Sequence, residues 1–147
     1  MIAEFWIEFV EATGIDGQYE AWAFGGEDDS ELATELALLV RDGPKRATAG
    51  LLEDHEQEGD PLPLPGELSV ILDGDGRPVC VIRNSEVDVR RFGDVDESFA
   101  WDEGEGDRTL ASWRRIHIDH FGEHGWTVTD DTMVVLVRFE MLWAPPG

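Results

Sequence analysis

Apolar side chains at Ile2, Phe5, Trp6, Phe9 and Val10 recur with helical spacing, while Glu4, Glu8 and Glu11 fall on the opposite side. The pattern predicts a helix over residues 1–13, ended by Gly14 and packed as a lid or brace. Residues 19–25 read as a short aromatic strand closed by a Gly-Gly turn, with Trp22 and Phe24 alternating onto one face. A stronger helix follows over residues 28–42, where Asp28 and Glu31 form a capping box and Leu32, Leu36, Leu39 and Val40 make one apolar stripe. Gly43 is placed to stop it in a left-handed conformation and Pro44 to block its continuation. Residues 47–52 read as a strand. The acidic run Glu53, Asp54, Glu56, Glu58 and Asp60 then reads as a solvated helical turn, and Pro61, Pro63 and Pro65 hold the next segment extended.

From Glu67 the period changes to two. Leu68, Val70 and Leu72 alternate, Asp73-Gly74-Asp75-Gly76 supplies a turn, and Val79 to Ile82 return as the second strand of a hairpin. Glu86 to Arg90 alternate again and predict a further strand. Asp94 and Glu97 box a short helix carrying Phe99 and Trp101, and residues 102–108 form a bent, charged loop with two glycines. A helix beginning near Thr109 turns Leu110, Trp113, Ile116 and Phe121 inward, and residues 132–143 make a long final strand. Hairpins outnumber βαβ units, and neither repeat nor linker divides the chain. The expectation is therefore one α+β domain over residues 1–147, with a core at 19–143 built as a curved, mostly antiparallel sheet or barrel with flanking helices.

Composition narrows the function. With 41% hydrophobic residues and six tryptophans, the chain can bury a real core and is no disordered acidic tail. Its 33 acidic residues against 11 basic give a net charge of -22, a field that repels long nucleic acid and anionic membrane. A single cysteine, Cys80, excludes an internal disulfide, and its apolar neighbours predict a buried strand position. The glutamates of the first helix do not fit a signal peptide, and no run is long enough to span a bilayer, so a cytoplasmic location is expected. Asp73 and Asp75 resemble the start of a calcium loop, but Asn84 stands where the bidentate glutamate belongs. His117, His120 and His124 share a helix without a fixed acidic ligand, so neither a metal nor another cofactor is expected. Oligomeric state leaves no signal.

Lys45 is the single lysine among ten arginines. An ammonium can lose its proton when desolvated whereas a guanidinium effectively cannot, so this amine is a candidate base, nucleophile or anion-binding group. Thr48 follows three residues later and can share its volume if the segment is half-turned. The competing structural role is a helix C-cap in which Lys45 and Arg46 face the negative end of the dipole. A neutral lysine would take the proton of the Thr48 hydroxyl for nucleophilic attack, with a carboxylate passing it to a leaving amine. For phosphodiester cleavage Lys45 would instead stay charged, assisted by Arg83 or Arg108.

Several pieces in order resemble the ASCH domain family of the PUA-like superfamily, in its longer bacterial branch. They are Trp22-Ala23-Phe24-Gly25, Gly43-Pro44-Lys45-Arg46-Ala47-Thr48, Pro78 to Arg83, Glu86-Val87, and Glu103-Gly104-Glu105-Gly106-Asp107-Arg108 with Trp113 and His117. The resemblance runs from about Trp22 to Trp143 and implies a PUA-like β-barrel whose cleft is lined by the glycine-lysine-threonine motif. It also implies RNA binding or RNA-linked processing, with two hydrolytic activities known among relatives: deacetylation of N4-acetylcytidine and cleavage of single-stranded RNA. Carried over by motif, the working lysine, threonine and glutamate fall on Lys45, Thr48 and Glu103, with Glu105 a rival for the carboxylate. Trp22, Phe24, Arg83, Glu86, Glu105 and Arg108 are the candidate ligand contacts, and a nucleoside or short single-stranded RNA the expected partner. The other function class is an acidic adaptor that recruits a basic protein.

Overall fold

The computed structural model describes residues 1–25 and 29–146 and divides into two compact units. The first holds Met1–Pro44, Pro65–Ser85 and the chain from Phe139 onward; the second holds Lys45–Leu64 and Glu86–Arg138. Five strands form one mixed sheet, so the architecture is α+β as expected.

In the first unit, α1 (Ile2–Thr13) buries Phe5, Trp6 and Phe9 against Leu68, Val70 and Val81, and Gly14 ends it at φ 76°. β1 (Tyr19–Ala23) pairs in parallel with β3 (Leu68–Leu72), so the sheet is not wholly antiparallel. β3 pairs antiparallel with β4 (Pro78–Arg91) through the predicted turn, where Asp73 Oδ1 accepts from the Asp75 and Arg77 amides. Val70 and Val81 join the α1 cluster while Ile71, Cys80 and Ile82 join the cluster beneath α2 (Ser30–Arg41). Both faces of this hairpin are therefore covered, which explains why its apolar residues run continuously.

Asp29 caps α2 by accepting from the Leu32 amide at 3.0 Å. Asp28, proposed for that role from sequence, lies outside the described residues. The buried stripe is Ala33, Leu36, Ala37 and Val40, with Leu32 and Leu39 only half-buried. The helix closes on Asp42 in a right-handed conformation, and Gly43 is not among the positive-φ glycines, which corrects its assignment as a left-handed stop. Gly74 donates its amide to Thr34 Oγ1 at 2.9 Å, and a Cβ there would stand 1.9 Å from the Ser30 carbonyl oxygen. Only glycine fits that approach.

In the second unit, β2 (Ala47–Leu51) pairs antiparallel with β5 (Met133–Trp143) over Ala47↔Arg138 to Leu51↔Val134. The acidic run forms α3 (Leu52–Glu58), which buries no residue. The segment Glu86 to Arg90 is a continuation of β4 and not a separate strand, because nothing between Ile82 and Glu86 turns the chain. A 3-10 turn at Phe92–Asp94 displaces the next cap, so Asp96, not Asp94, accepts from the Phe99 amide to start α4 (Glu97–Glu103). Thr109 caps α5 (Leu110–Glu123), whose Trp113 and Phe121 join Ala47, Leu51, Phe92, Phe99 and Val134 in the core.

Candidate functional site

Lys45 sits immediately before β2, and the Arg46 amide donates to the Asp102 carbonyl at 2.6 Å, which ties this segment to the last turn of α4. α4 ends at Gly104 (φ 70°), and Gly106 (φ 61°) and Arg108 (φ 67°) continue the turn. That turn brings Glu103 and Glu105, 58 and 60 residues from Lys45 in sequence, to the same amine.

Lys45 Nζ donates to Glu103 Oε1 at 3.0 Å, Glu105 Oε2 at 2.9 Å and the Ala47 carbonyl at 2.8 Å. The side chains of Lys45 and Glu103 are each 1% exposed, and that of Glu105 is 17% exposed. Glu103 is occupied on its other oxygen too, since Oε2 accepts from Trp113 Nε1 at 2.5 Å and lies 2.9 Å from His117 Nε2. Trp113 and His117 are one helical turn apart on α5, which puts both on one face, with rings stacked at 4.2 Å.

His117 Nδ1 lies 2.8 Å from the Trp113 carbonyl, so both ring nitrogens face acceptors. Only the imidazolium satisfies both. Burial pushes the His117 pKa down, but Glu103 and the hydrogen bonds outweigh it and hold it above its ordinary value. Burial likewise opposes charge on Lys45, and the two carboxylates reverse this and raise its pKa. Burial also works against ionised Glu103, yet Lys45 and His117 hold it well below the usual carboxylate range. Glu105 goes the other way: burial, joined by the neighbouring Glu103 charge, raises its pKa despite Lys45.

These contacts favour Lys45 as an ammonium, the state that the phosphodiester alternative requires, over the neutral base of the nucleophilic one. Thr48 is also misplaced for that chemistry. Ala47, Ala49 and Leu51 of β2 face the core, and strand alternation sends Thr48 to the opposite side. No bond to Thr48 is among the described hydrogen bonds of Lys45 Nζ.

The other candidates are dispersed. Phe24 is buried with Phe139 and Leu36 in the first unit, and Trp22 packs edge-on against it at 4.7 Å, so both serve a core. Arg83, also in the first unit, pairs with Glu140 at 3.3 Å. Glu86 is exposed and 3.5 Å from Arg138, which also donates to Asp102 Oδ2 at 2.9 Å. Arg108 lies flat against Trp101, its guanidinium carbon 3.5 Å from the ring centroid. Trp101, 55% exposed, was read from sequence only as a residue of the short helix; its large exposed indole is a tertiary outcome. Trp113 and His117, absent from the candidate set, were detectable as an i, i+4 pair.

Glu103, Glu105 and His117 offer three ligand atoms within 4.8 Å of one another. They fit a metal poorly, because the Lys45 ammonium already lies among them and a dication would have to displace it. Of the three histidines on α5, His117 turns to Glu103, while His124 Nδ1 lies 2.9 Å from the His120 carbonyl. A cavity of about 380 Å³ lined by Leu51, Glu53, Glu56, Trp126 and Asp131 lies in the same unit, without Lys45 or either loop glutamate in its wall.

The family model for the ASCH domain matches residues 20–143, which includes every member of this cluster. The chain belongs to the ASCH domain family. This ASCH domain is similar to the crystal structure of protein EF3133 from Enterococcus faecalis V583, at 31% identity and a TM-score of 0.82, covering 95% of this chain and 86% of that one. It is also similar to an ASCH domain from Lactobacillus crispatus JV V101, at 32% identity and a TM-score of 0.80, covering 95% and 91%. A hypothetical protein, PH0355, shares the fold alone, at 14% identity and a TM-score of 0.52, covering 84% of this chain and 97% of that one. No curated protein matches the chain. The two closer likenesses place this ASCH domain in the α+β, PUA-like fold expected from its motifs, and among its described residues no helix is long and apolar enough to cross a membrane.

Proposed function

We propose that this ASCH domain binds a nucleoside or a short single-stranded RNA at the Lys45 cluster, with Glu105 as the group that meets the ligand. One observation carries the reading: Glu105 is the member of the cluster that reaches solvent, while Glu103 is saturated by Lys45, Trp113 and His117. A carboxylate in this position accepts from an exocyclic amine such as cytosine N4, and in its protonated form donates to a ring nitrogen. Lys45 keeps a fixed positive charge at the floor of the site, which favours an electron-rich ligand edge. The net charge of -22 favours a nucleoside or strand end over a long RNA track.

Hydrolysis of an N4-acylated cytidine is the second reading, supported by the raised proton affinity of Glu105 beside a permanent cation. Water would supply the oxygen that bonds to the acyl carbon, Glu105 would take that water's proton, and as the C–N bond breaks Glu105 would pass the proton to the departing amine.

Calorimetric titration with cytidine, N4-acetylcytidine and a cytidine RNA hexamer, with chromatography of the products, tests both. Saturable binding lost in Glu105→Ala supports the site. Deacetylation or strand cleavage that depends on Lys45 or Glu105 adds the enzyme. Absence of binding by the folded protein sinks the reading and favours an acidic adaptor for a basic partner.

A further inference from the structure

We propose that Trp101 and Arg108 form a stacking platform for the nucleotide adjoining the one held at Glu105, so that a strand and not a free nucleoside is the preferred ligand. This rests on the site assignment above and extends it by one nucleotide.

Placement is the first argument. Trp101 is on α4, two residues before Glu103, and the Arg108 amide donates to the Glu105 carbonyl at 3.2 Å. Platform and carboxylate therefore share one turn of chain. Arg108 Nε also donates to the Trp101 carbonyl at 2.9 Å, so the guanidinium is fixed on one face of the indole. The indole is still 55% exposed, which leaves surface for a second flat partner.

Charge is the second. Arg41, Arg83, Arg90, Arg91 and Arg138 each pair with a carboxylate. Arg108, like Arg77, Arg114 and Arg115, forms no ion pair among the described residues, although its own turn carries Glu105 and Asp107. A guanidinium that pairs with none of the described carboxylates and is laid on an aromatic ring is ready for a phosphate.

Backbone conformation is the third. Arg108 is the non-glycine residue described with positive φ, at 67°, in a loop where glycine serves the same need twice. Keeping a bulky side chain there is unfavourable unless the side chain is used.

Titration of the cytidine RNA hexamer and of free cytidine into wild type, Trp101→Ala and Arg108→Gln tests the assignment. Stacking of one base is worth 5- to 100-fold by alanine replacement, so Trp101→Ala should weaken the hexamer by about 10-fold or more and leave cytidine within about twofold. Arg108→Gln should lower the slope of log K against log salt by about 0.7, the loss of one phosphate contact on a single strand. Arg108→Lys, which keeps the charge without the flat stack, should restore the salt slope and not the full affinity. If the hexamer binds wild type and Trp101→Ala alike, the platform is wrong while the Glu105 site stands. If Trp101→Ala changes only the sedimentation behaviour, the indole belongs to contact between copies and the proposal fails. If wild type binds neither ligand, both assignments fall together.

Discussion

Lys45 and Glu103 meet at 3.0 Å with each side chain 1% exposed, a full ion pair withdrawn from water. Removing the amine takes one of two buried counter-charges from Glu103, leaving His117 alone to balance it. Lys45→Met should therefore cost about 3–5 kcal/mol in urea unfolding, whereas the double variant Lys45→Met/Glu103→Gln should recover part of that loss. A double variant destabilised by the sum of the two single variants would show that the pair is not coupled.

His117 carries the pH dependence. Its folded pKa is raised above the ordinary 6.5, so its contribution to stability is full below 6.5 and lost as pH rises through the higher folded value. Glu103 is the reverse case: its contribution is present above 4.5 and lost as pH falls through its depressed folded value. Stability of the wild type should decline on the alkaline side, and His117→Gln should flatten that slope and, because His117 helps to hold Glu103 ionised, start the acid loss at higher pH. Nitrogen NMR should find both ring nitrogens of His117 protonated at pH 6, below its ordinary value.

The two loop glutamates should separate by phenotype. Glu105→Gln retains the size of a partly exposed side chain and should fold with a small change in melting temperature while losing most nucleoside affinity. Glu103→Gln removes the charge that three buried donors converge on and should destabilise by several kcal/mol, in the range of about 3–5 for a broken buried pair. Reversed outcomes in thermal melts and calorimetry would exchange their roles.

Gly74→Ala tests the packing of the other unit. Its new Cβ would meet the Ser30 carbonyl at 1.9 Å, so the start of α2 or the turn must shift. A loss of about 1–3 kcal/mol is expected in chemical denaturation, typical of overpacking, without effect on ligand affinity. A neutral result would mean that the approach is easily relaxed.

The sequence by itself determined the elements whose signals are local. Phe5, Trp6 and Phe9 marked the buried face of α1, Thr109 marked the start of α5, and Cys80 marked a buried strand, because periodicity, caps and turns act over a few residues. It also singled out Lys45 by residue type alone. It placed the cap of α4 at Asp94 and a break before Glu86, since a 3-10 turn and an uninterrupted strand differ from their alternatives by small local energies.

Only the tertiary structure decided the chemistry. Packing of α4 and α5 beside β2 set two carboxylates, 58 and 60 residues away, and a still more distant imidazolium around one amine, and no local rule acts across that separation. Protonation followed from the same contacts: burial would have neutralised Lys45, and the charges packed against it kept it an ammonium. Strand alternation then turned Thr48 to the other face of β2, and the turn after Gly104 left Glu105, rather than Glu103, at the surface.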